Sequence, residues 1–184
     1  MHAGVVPIGV NLITNDVAIG FRTHIDVAER IKLAYGSCLP DELPKRETIR
    51  LAEFIPEETT NVSRRELAEI IEARMRDIFE LLQKELKKID RKQLLPAGVI
   101  LIGGSAYLPG LVELTRKEMG LPVEVGFPPA TEAPDEQMAV SFATALGAIH
   151  WQEMRALQTN TAWSGRTTGL SKKPWVQWLR SLLP

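Results

Sequence analysis

The sequence predicts an α/β fold, because predicted strands and helices alternate along much of the chain. Between about residues 97 and 157, a strand, a helix, a second strand and a second helix follow one another. Between about residues 39 and 92, two short strands and one long helix interrupt this order. We therefore expect a partly parallel sheet covered by helices, with a small α+β subdomain inserted into it.

The first part of the chain predicts a short strand followed by two helices. Residues 5–8 are apolar and predict the strand. Residues 11–21 carry apolar side chains at roughly helical spacing, and Asn11 or Thr14 is the predicted cap of this helix. Residues 25–36 predict a clearer amphipathic helix that ends in a glycine, a usual C-cap residue.

The predicted insertion begins with two strands of a small sheet, residues 47–54 and 59–62. Ser63 and Glu66 then form a capping box that opens a long helix. At 1.5 Å per residue this helix is about 40 Å long, enough to cross between two lobes. Its predicted apolar face consists of Leu67, Ile71, Met75, Ile78, Leu82, Leu86 and Ile89.

Residues 99–114 read VILIGGSAYLPGLVEL, in which an apolar run breaks into two adjacent glycines. The continuous apolar run 99–102 favours a strand covered on both faces. The glycines have two explanations: a tight strand-to-helix turn, or a place where a flat or anionic ligand approaches the bare backbone. A helix ending at Gly120, a short strand and one helix over about residues 135–157 follow.

Composition excludes several classes of protein. The 184 residues carry a net charge of −1, so no global basic field indicates nucleic acid. Cys38 is the only cysteine, which excludes an internal disulfide and favours a buried or loop thiol over a nucleophile. Residues 138–149 are the longest apolar-rich segment and are too short to span a bilayer, which needs about 20 residues. No metal spacing or catalytic triad order appears, so an independent enzyme is not expected.

The end of the chain predicts a membrane anchor on a flexible linker. Residues 158–173 are polar and aperiodic, and a helix from Pro174 would place four apolar side chains on one stripe. Tryptophan favours the headgroup level and basic residues attract anionic lipid, whereas the alternative is a helix docked on the protein itself or on a partner. One short helix binds weakly, so firm attachment needs many copies. The predicted lipid-binding residues are Trp175, Trp178, Leu179, Leu182, Lys172, Lys173 and Arg180.

The segment GGSAYLPGL after an apolar run resembles the adenosine motif of the actin-like ATPases, which include actin, DnaK-type chaperones and the bacterial cell division protein FtsA. IGVNLITNDVAIGFRTHIDVAERIKLAYGS is similar to the stretch that follows the second phosphate loop of FtsA. LAEIIEARMRDIFELL and LPAGVILIGGSAYLPGLVEL continue the resemblance in the same order. It covers about residues 5–151, and the terminal helix agrees in character.

The resemblance implies the second lobe of an actin/ribonuclease-H-like fold. Residues 1–38 and 93–157 would form the lobe (subdomain 2A), and residues 39–92 the insertion (subdomain 2B). The linker 158–173 and an amphipathic helix 174–184 would follow. The first half of the family's length, with its phosphate loops and Mg²⁺-linked residues, is absent from this sequence, so we expect weak nucleotide binding and no ATP hydrolysis from this chain alone.

The resemblance also implies a function: an actin-like protein that binds ATP, polymerises with itself, and tethers FtsZ filaments to the cytoplasmic face of the membrane at the division septum. Gly103, Gly104 and Ser105 match the turn that lies against the nucleotide. Glu29 and Lys32 match the positions that hydrogen-bond the ribose and adenine. One departure is that the family's double glycine after residue 8 is Gly-Val here.

The insertion resembles the region of FtsA that receives the FtsZ tail. Arg64 and Arg65 are the predicted contacts for this acidic and apolar peptide, and their other explanation is solvated charge at a helix end. The helix dipole disfavours cations at an N-terminus, which favours a functional role slightly. Three alternatives stay open: a PilM-like assembly ATPase of pilus or secretion systems, a chaperone ATPase fragment, and an inactive truncated fragment. The tryptophan-rich tail disfavours the first, and the missing β-sandwich disfavours the second.

Overall fold

The computed structural model describes residues 3–89, 95–127 and 135–163, and only the backbone of 156–163. The chain divides into two units, Met1–Thr144 and Ala145–Pro184. In the described parts helices and strands mix, which is compatible with the predicted α/β class.

Four helices surround the core of the first unit. Helix α1 (Asn11–Gly20) packs against α2 (Ile25–Tyr35) and α3 (Arg64–Lys88), and α4 (Leu111–Met119) packs against α3. Residues from the predicted lobe and from the predicted insertion share this one core, and the division into two subdomains stays a prediction. The fully buried side chains of the core include Ile13, Val17, Ile31, Ile49, Leu67, Ile71 and Leu114.

The predicted strand at residues 5–8 is wrong. The described residues before α1 have no strand conformation, and Val5 is exposed. A strand needs a partner for its N–H and C=O groups, and Pro7 has no N–H to donate. The predicted caps of α1 are also wrong, because Val10 occupies the N-cap without a side-chain hydrogen bond. Thr14 is instead buried inside α1.

Helix α2 has the predicted bounds within one residue, but its terminal glycine has another reason. Gly36 has φ −61° and ψ 142°, an extended conformation open to other residues. A Cβ at this position would lie 2.4 Å from the carbonyl oxygen of Lys32 and 3.2 Å from Ile71. Close packing, not a left-handed cap, therefore requires glycine here.

The predicted small sheet is present as a short antiparallel pair, β1 (Thr48–Arg50) and β2 (Asn61–Ser63). The strands are shorter than predicted because the chain enters a 3₁₀ turn at Leu51–Glu53. The pairing places the end of β2 at the start of α3, where the Ser63 hydroxyl accepts a hydrogen bond from the N–H of Glu66. This bond is one half of the predicted capping box.

Helix α3 is 25 residues long, or about 38 Å at the helical rise. Leu67, Ile71 and Met75 of its predicted apolar face are buried. Leu82 is exposed, and Phe79, which the periodicity did not select, is buried in its place. The buried stripe turns slightly around the helix because 3.6 residues per turn do not divide evenly into a spacing of four.

Strand β3 (Val99–Leu101) pairs in parallel with β4 (Val123–Val125), so the predicted strand–helix–strand unit is confirmed. The prediction that both faces of β3 are covered is wrong, because Ile100 is 58% exposed. Helix α4 packs against this sheet, and the described part of the first unit leaves the Ile100 face open.

The predicted single helix after residue 135 consists of two helices, α5 (Glu136–Ser141) and α6 (Ala143–Trp163). The helix is interrupted at Phe142, whose φ of −100° and ψ of 11° are not helical. The carbonyl of Val140 accepts the N–H of Gly103. Helix α6 continues past residue 158, where the flexible linker was predicted to begin.

Candidate functional site

An open cleft of about 480 Å³ lies where the start of α1, one side of α2, the turn after β3 and α5 come together. This volume falls in the range of roughly 300–1,000 Å³ that small-molecule sites occupy. Gly104 contributes bare backbone to its wall. The polar residues that line the cleft are Asn11, Glu29, Lys32, Ser105, Gln137 and Ser141.

Glu29 and Lys32 form an ion pair on one face of α2, with 2.6 Å between Lys32 Nζ and Glu29 Oε2. The Lys32 side chain is only 8% exposed, whereas that of Glu29 is 40% exposed. Lys32 Nζ also donates a hydrogen bond of 2.9 Å to the Thr14 hydroxyl, which in turn donates to Glu29 Oε2. A buried ammonium group thus has two oxygen partners, as a buried charge requires.

The carboxylate of Glu29 stays ionised at the edge of the cleft. Burial acts to raise its pKa, but hydrogen bonds from Lys32 and Thr14, together with the charge of Lys32, outweigh burial and lower the pKa. Because the pKa of Glu29 is lower in the folded state than in the unfolded state, the ionised carboxylate stabilises the fold at pH values above the unfolded-state pKa. This stabilisation is lost as the pH falls through the lowered pKa of the folded state. At neutral pH Glu29 is therefore an acceptor that suits hydroxyl or amine donors.

The two glycines after β3 are required for different reasons. Gly103 has φ +96°, a conformation that other residues rarely adopt, and its N–H donates to the carbonyl of Val140. Gly104 opens a 3₁₀ turn (Gly104–Tyr107), and a Cβ on it would meet nothing closer than Ser141 Oγ at 3.7 Å. Conformation requires the first glycine, whereas the second keeps the wall of the cleft free of a side chain.

The structure brings most of the sequence-predicted nucleotide residues together. Glu29, Lys32, Gly104 and Ser105 all line the cleft. Gly103 lies next to it in the chain and shapes the turn. Val10, at the departure from the family's double glycine, also lines the cleft.

Sequence reasoning missed four polar contributors to this region, Asn11, Thr14, Gln137 and Ser141. Thr14 was interpreted as a helix cap, although its apolar neighbours at positions 13 and 17 indicate that it lies near the buried face of α1. Gln137 and Ser141 are four apart on α5, a spacing that puts both on one helix face, but nothing in the sequence indicates which neighbour that face contacts.

Arg64 and Arg65 are both bonded within the chain. Arg64 Nη1 lies 2.7 Å from Glu47 Oε1, and its Nε donates to the carbonyl of Tyr35. Arg65 Nη2 lies 2.7 Å from Asp41 Oδ1, and its Nε lies 3.2 Å from Glu69. These carboxylates offset the unfavourable position of two cations at the start of α3.

Cys38 is buried, which is one of the two placements that the sequence predicts. Burial raises the pKa of its thiol to about 12, and the negative charges of Glu72 and Glu113 add to this effect. Because the thiolate is the reactive form, this cysteine is inert at neutral pH.

The predicted membrane-binding residues from Lys172 to Leu182 lie outside the described residues. Within the described residues, no helix combines the length and hydropathy needed to cross a bilayer.

The family model for cell division protein FtsA matches residues 1–147. The FtsA of Pseudomonas aeruginosa is 36% identical over 127 residues, which is 69% of this chain and 30% of that protein. The FtsA of Neisseria meningitidis is 36% identical over 151 residues, or 81% of this chain and 36% of that protein.

The similarity extends along nearly the whole chain in another relative. The FtsA of Escherichia coli K12 is 29% identical over 190 aligned positions, covering 99% of this chain and 45% of that protein. The chain therefore spans less than half the length of these curated relatives.

Proposed function

This chain belongs to the FtsA family of cell division proteins, and we propose that it forms one wall of an ATP-binding cleft in an adaptor that tethers FtsZ filaments to the cytoplasmic face of the membrane at the septum. The observation that carries the proposal is the cleft in which Glu29, Lys32, Gly104 and Ser105 come together. The family implies an actin-like fold, and in the proposal these residues belong to its second lobe.

The chemistry of the cleft suits a nucleotide at two places. The ionised Glu29 accepts hydrogen bonds, and ATP carries donors on its ribose hydroxyls and its adenine amine. The backbone N–H groups of Gly104 and Ser105 begin a 3₁₀ turn, so they have no acceptor within the turn and suit an anionic oxygen. The missing side chain at Gly104 lets a ligand approach this backbone.

The proposal assigns ATP binding, not hydrolysis, to this chain. Among the described residues that line the cleft, Glu29 is the one carboxylate, and its Oε2 already accepts hydrogen bonds from Lys32 and Thr14. No ligand for the Mg²⁺ that accompanies ATP is assigned to these residues.

Titration of ATP into the chain tests the cleft. We expect saturating NMR shift changes at the amides of Ser105 and its neighbours, and about tenfold weaker binding for Glu29→Gln, since a neutral amide is a weaker acceptor than a carboxylate. Glu80→Gln is the matched control, because Glu80 pairs with Lys84 on α3 and does not line the cleft. Equal effects of the two substitutions, or no saturable shift in the unaltered chain, would contradict the cleft assignment.

The proposed contact with FtsZ lies at the start of α3. Asp41 and Glu69, the partners of Arg65, are exposed, so an acidic peptide can replace them without uncovering a buried charge. Both partners of Arg64, the Glu47 carboxylate and the Tyr35 carbonyl, are half-buried. Arg64 therefore stabilises the fold in addition to any contact that it makes with FtsZ. Self-association into polymers belongs to the same proposal.

The proposed membrane anchor is the helix predicted from the sequence over residues 174–184. Its Trp175 and Trp178 would lie at the headgroup level, next to Lys172, Lys173 and Arg180. Because one short helix binds weakly, attachment depends on several chains held together on a filament.

Co-sedimentation of FtsZ filaments with anionic vesicles tests the tether. We expect FtsZ to co-sediment with the vesicles when the intact chain is present. FtsZ should stay in solution with a chain that ends at Thr168 and with the double variant Trp175→Glu, Trp178→Glu. Circular dichroism of the double variant should match that of the intact chain, because in this proposal the anchor acts independently of the rest of the chain.

The outcomes separate the two contacts. Vesicle binding that persists in the double variant would overturn the anchor. If vesicles bind the chain but FtsZ does not follow, the anchor stands and the proposed FtsZ contact fails.

A further inference from the structure

Thr14 contacts two residues that line the cleft, Glu29 and Lys32. It lies in the first half of α1 and is 5% exposed. Threonine hydroxyls inside helices commonly bond back to the carbonyl four residues earlier. Here the hydroxyl instead contacts Glu29 and Lys32 on the neighbouring helix α2.

The directions of these hydrogen bonds are fixed by chemistry. An ammonium group only donates, so the Thr14 oxygen accepts from Lys32, and the single hydroxyl proton goes to Glu29. Glu29 Oε2 therefore receives bonds from both Thr14 and Lys32. This arrangement holds the carboxylate in one orientation and leaves Oε1 without a hydrogen-bond donor among the described residues.

We propose that Thr14 is a positioning residue that orients Glu29 so that Oε1 accepts a hydrogen bond from a ribose hydroxyl of the nucleotide. This inference rests on the proposed binding of ATP. Among the described residues, the Lys32 ammonium has two acceptors, Thr14 and Glu29, so its third N–H is available to a ligand in the cleft that Lys32 lines. One hydroxyl of a ribose diol can donate to Glu29 while the other accepts from Lys32, which suits an acceptor and a donor placed side by side.

The orientation matters because a glutamate on a helix otherwise has several rotamers. Ordering such a side chain on binding opposes affinity, and a side chain held beforehand avoids that loss. Here the Thr14 hydroxyl, the Lys32 ammonium and the Glu29 carboxylate are joined by three hydrogen bonds that restrict the Glu29 side chain.

The test compares two nucleotides and two substitutions in the 184-residue chain. Thr14→Val replaces the hydroxyl with a methyl group of similar size, and Thr14→Ser keeps the hydroxyl. ATP and 2′,3′-dideoxy-ATP, which lacks both ribose hydroxyls, are titrated into each variant and followed by NMR. We expect Thr14→Val to weaken ATP about tenfold and dideoxy-ATP by less than twofold, with Thr14→Ser close to the unaltered chain.

The preference for ATP over dideoxy-ATP separates positioning from a purely structural role. Equal weakening of both nucleotides by Thr14→Val would overturn the inference, since a damaged fold affects both alike. An unchanged preference in Thr14→Val would also overturn it, while ATP binding by the unaltered chain would leave the proposed function intact. If the unaltered chain binds neither nucleotide, the proposed function fails and this inference fails with it.

NMR dispersion of each variant without ligand checks the fold. If Thr14→Val does not give a folded spectrum, Thr14→Ala takes its place in the same comparison, because it removes the hydroxyl without placing a second methyl group between Lys32 and Glu29. The same two outcomes then decide the inference.

Discussion

Replacing Gly104 with valine is expected to weaken ATP binding more than tenfold and to lower the free energy of unfolding by less than about 1 kcal/mol. The backbone at Gly104 does not need a left-handed conformation, and an added Cβ has ordinary contact with Ser141 at 3.7 Å. The branched side chain would instead occupy space in the cleft and hold a ligand away from the turn. Isothermal titration with ATP and urea unfolding measure the two effects.

A graded series provides the controls for Gly104. Gly104→Ala should give an intermediate loss of ATP affinity, because a single methyl fills less of the cleft. Gly103→Ala should lower the free energy of unfolding by about 1–2 kcal/mol, since alanine at φ +96° is strained although nothing lies within 4 Å of its Cβ. If Gly104→Val binds ATP as the unaltered chain does, the turn has a structural role alone.

Much of the candidate site could be predicted because its residues lie in local patterns. Glu29 and Lys32 are three apart on one helix, and the glycine pair follows an apolar run. Thr14 could not be assigned in this way. Its contact with α2 depends on how two helices pack, and a threonine near a helix start is more often a cap.

The accuracy of the fold predictions follows the same division between local and long-range interactions. Helix α3 begins where its capping box predicts, because the Ser63 hydroxyl and the N–H of Glu66 are neighbours in the chain. The strand predicted at residues 5–8 needed a partner that apolar residues alone do not provide. The coverage of β3 likewise depends on what packs against Ile100, which its own sequence does not specify.

The two arginines show how structure changes the weight of a sequence argument. From the sequence, Arg64 and Arg65 occupy an unfavourable position at a helix N-terminus, and that position favoured a binding role. Their carboxylate partners Glu47 and Asp41 precede the helix by more than fifteen residues and become neighbours only through folding. The misplacement is thus explained within the chain, and the case for an FtsZ contact rests on the exposed partners of Arg65.

Replacing Gly98 with alanine is expected to lower the free energy of unfolding by about 3 kcal/mol, a large part of the stability of a small domain. Gly98 has φ +77°, and its Cβ would lie 2.3 Å from the carbonyl oxygen of Pro122, so backbone must move. That same oxygen accepts the N–H of Val99 at 2.8 Å, the bond that precedes the β3–β4 pairing. Hydrogen exchange at the Val99 amide should accelerate in step with the loss of stability.

Gly9→Ala is the matched control, because nothing lies within 4 Å of its Cβ and its stability should change by less than about 1 kcal/mol. Equal stability of the two variants would mean that β3 and β4 do not approach each other as closely as this carbonyl contact requires.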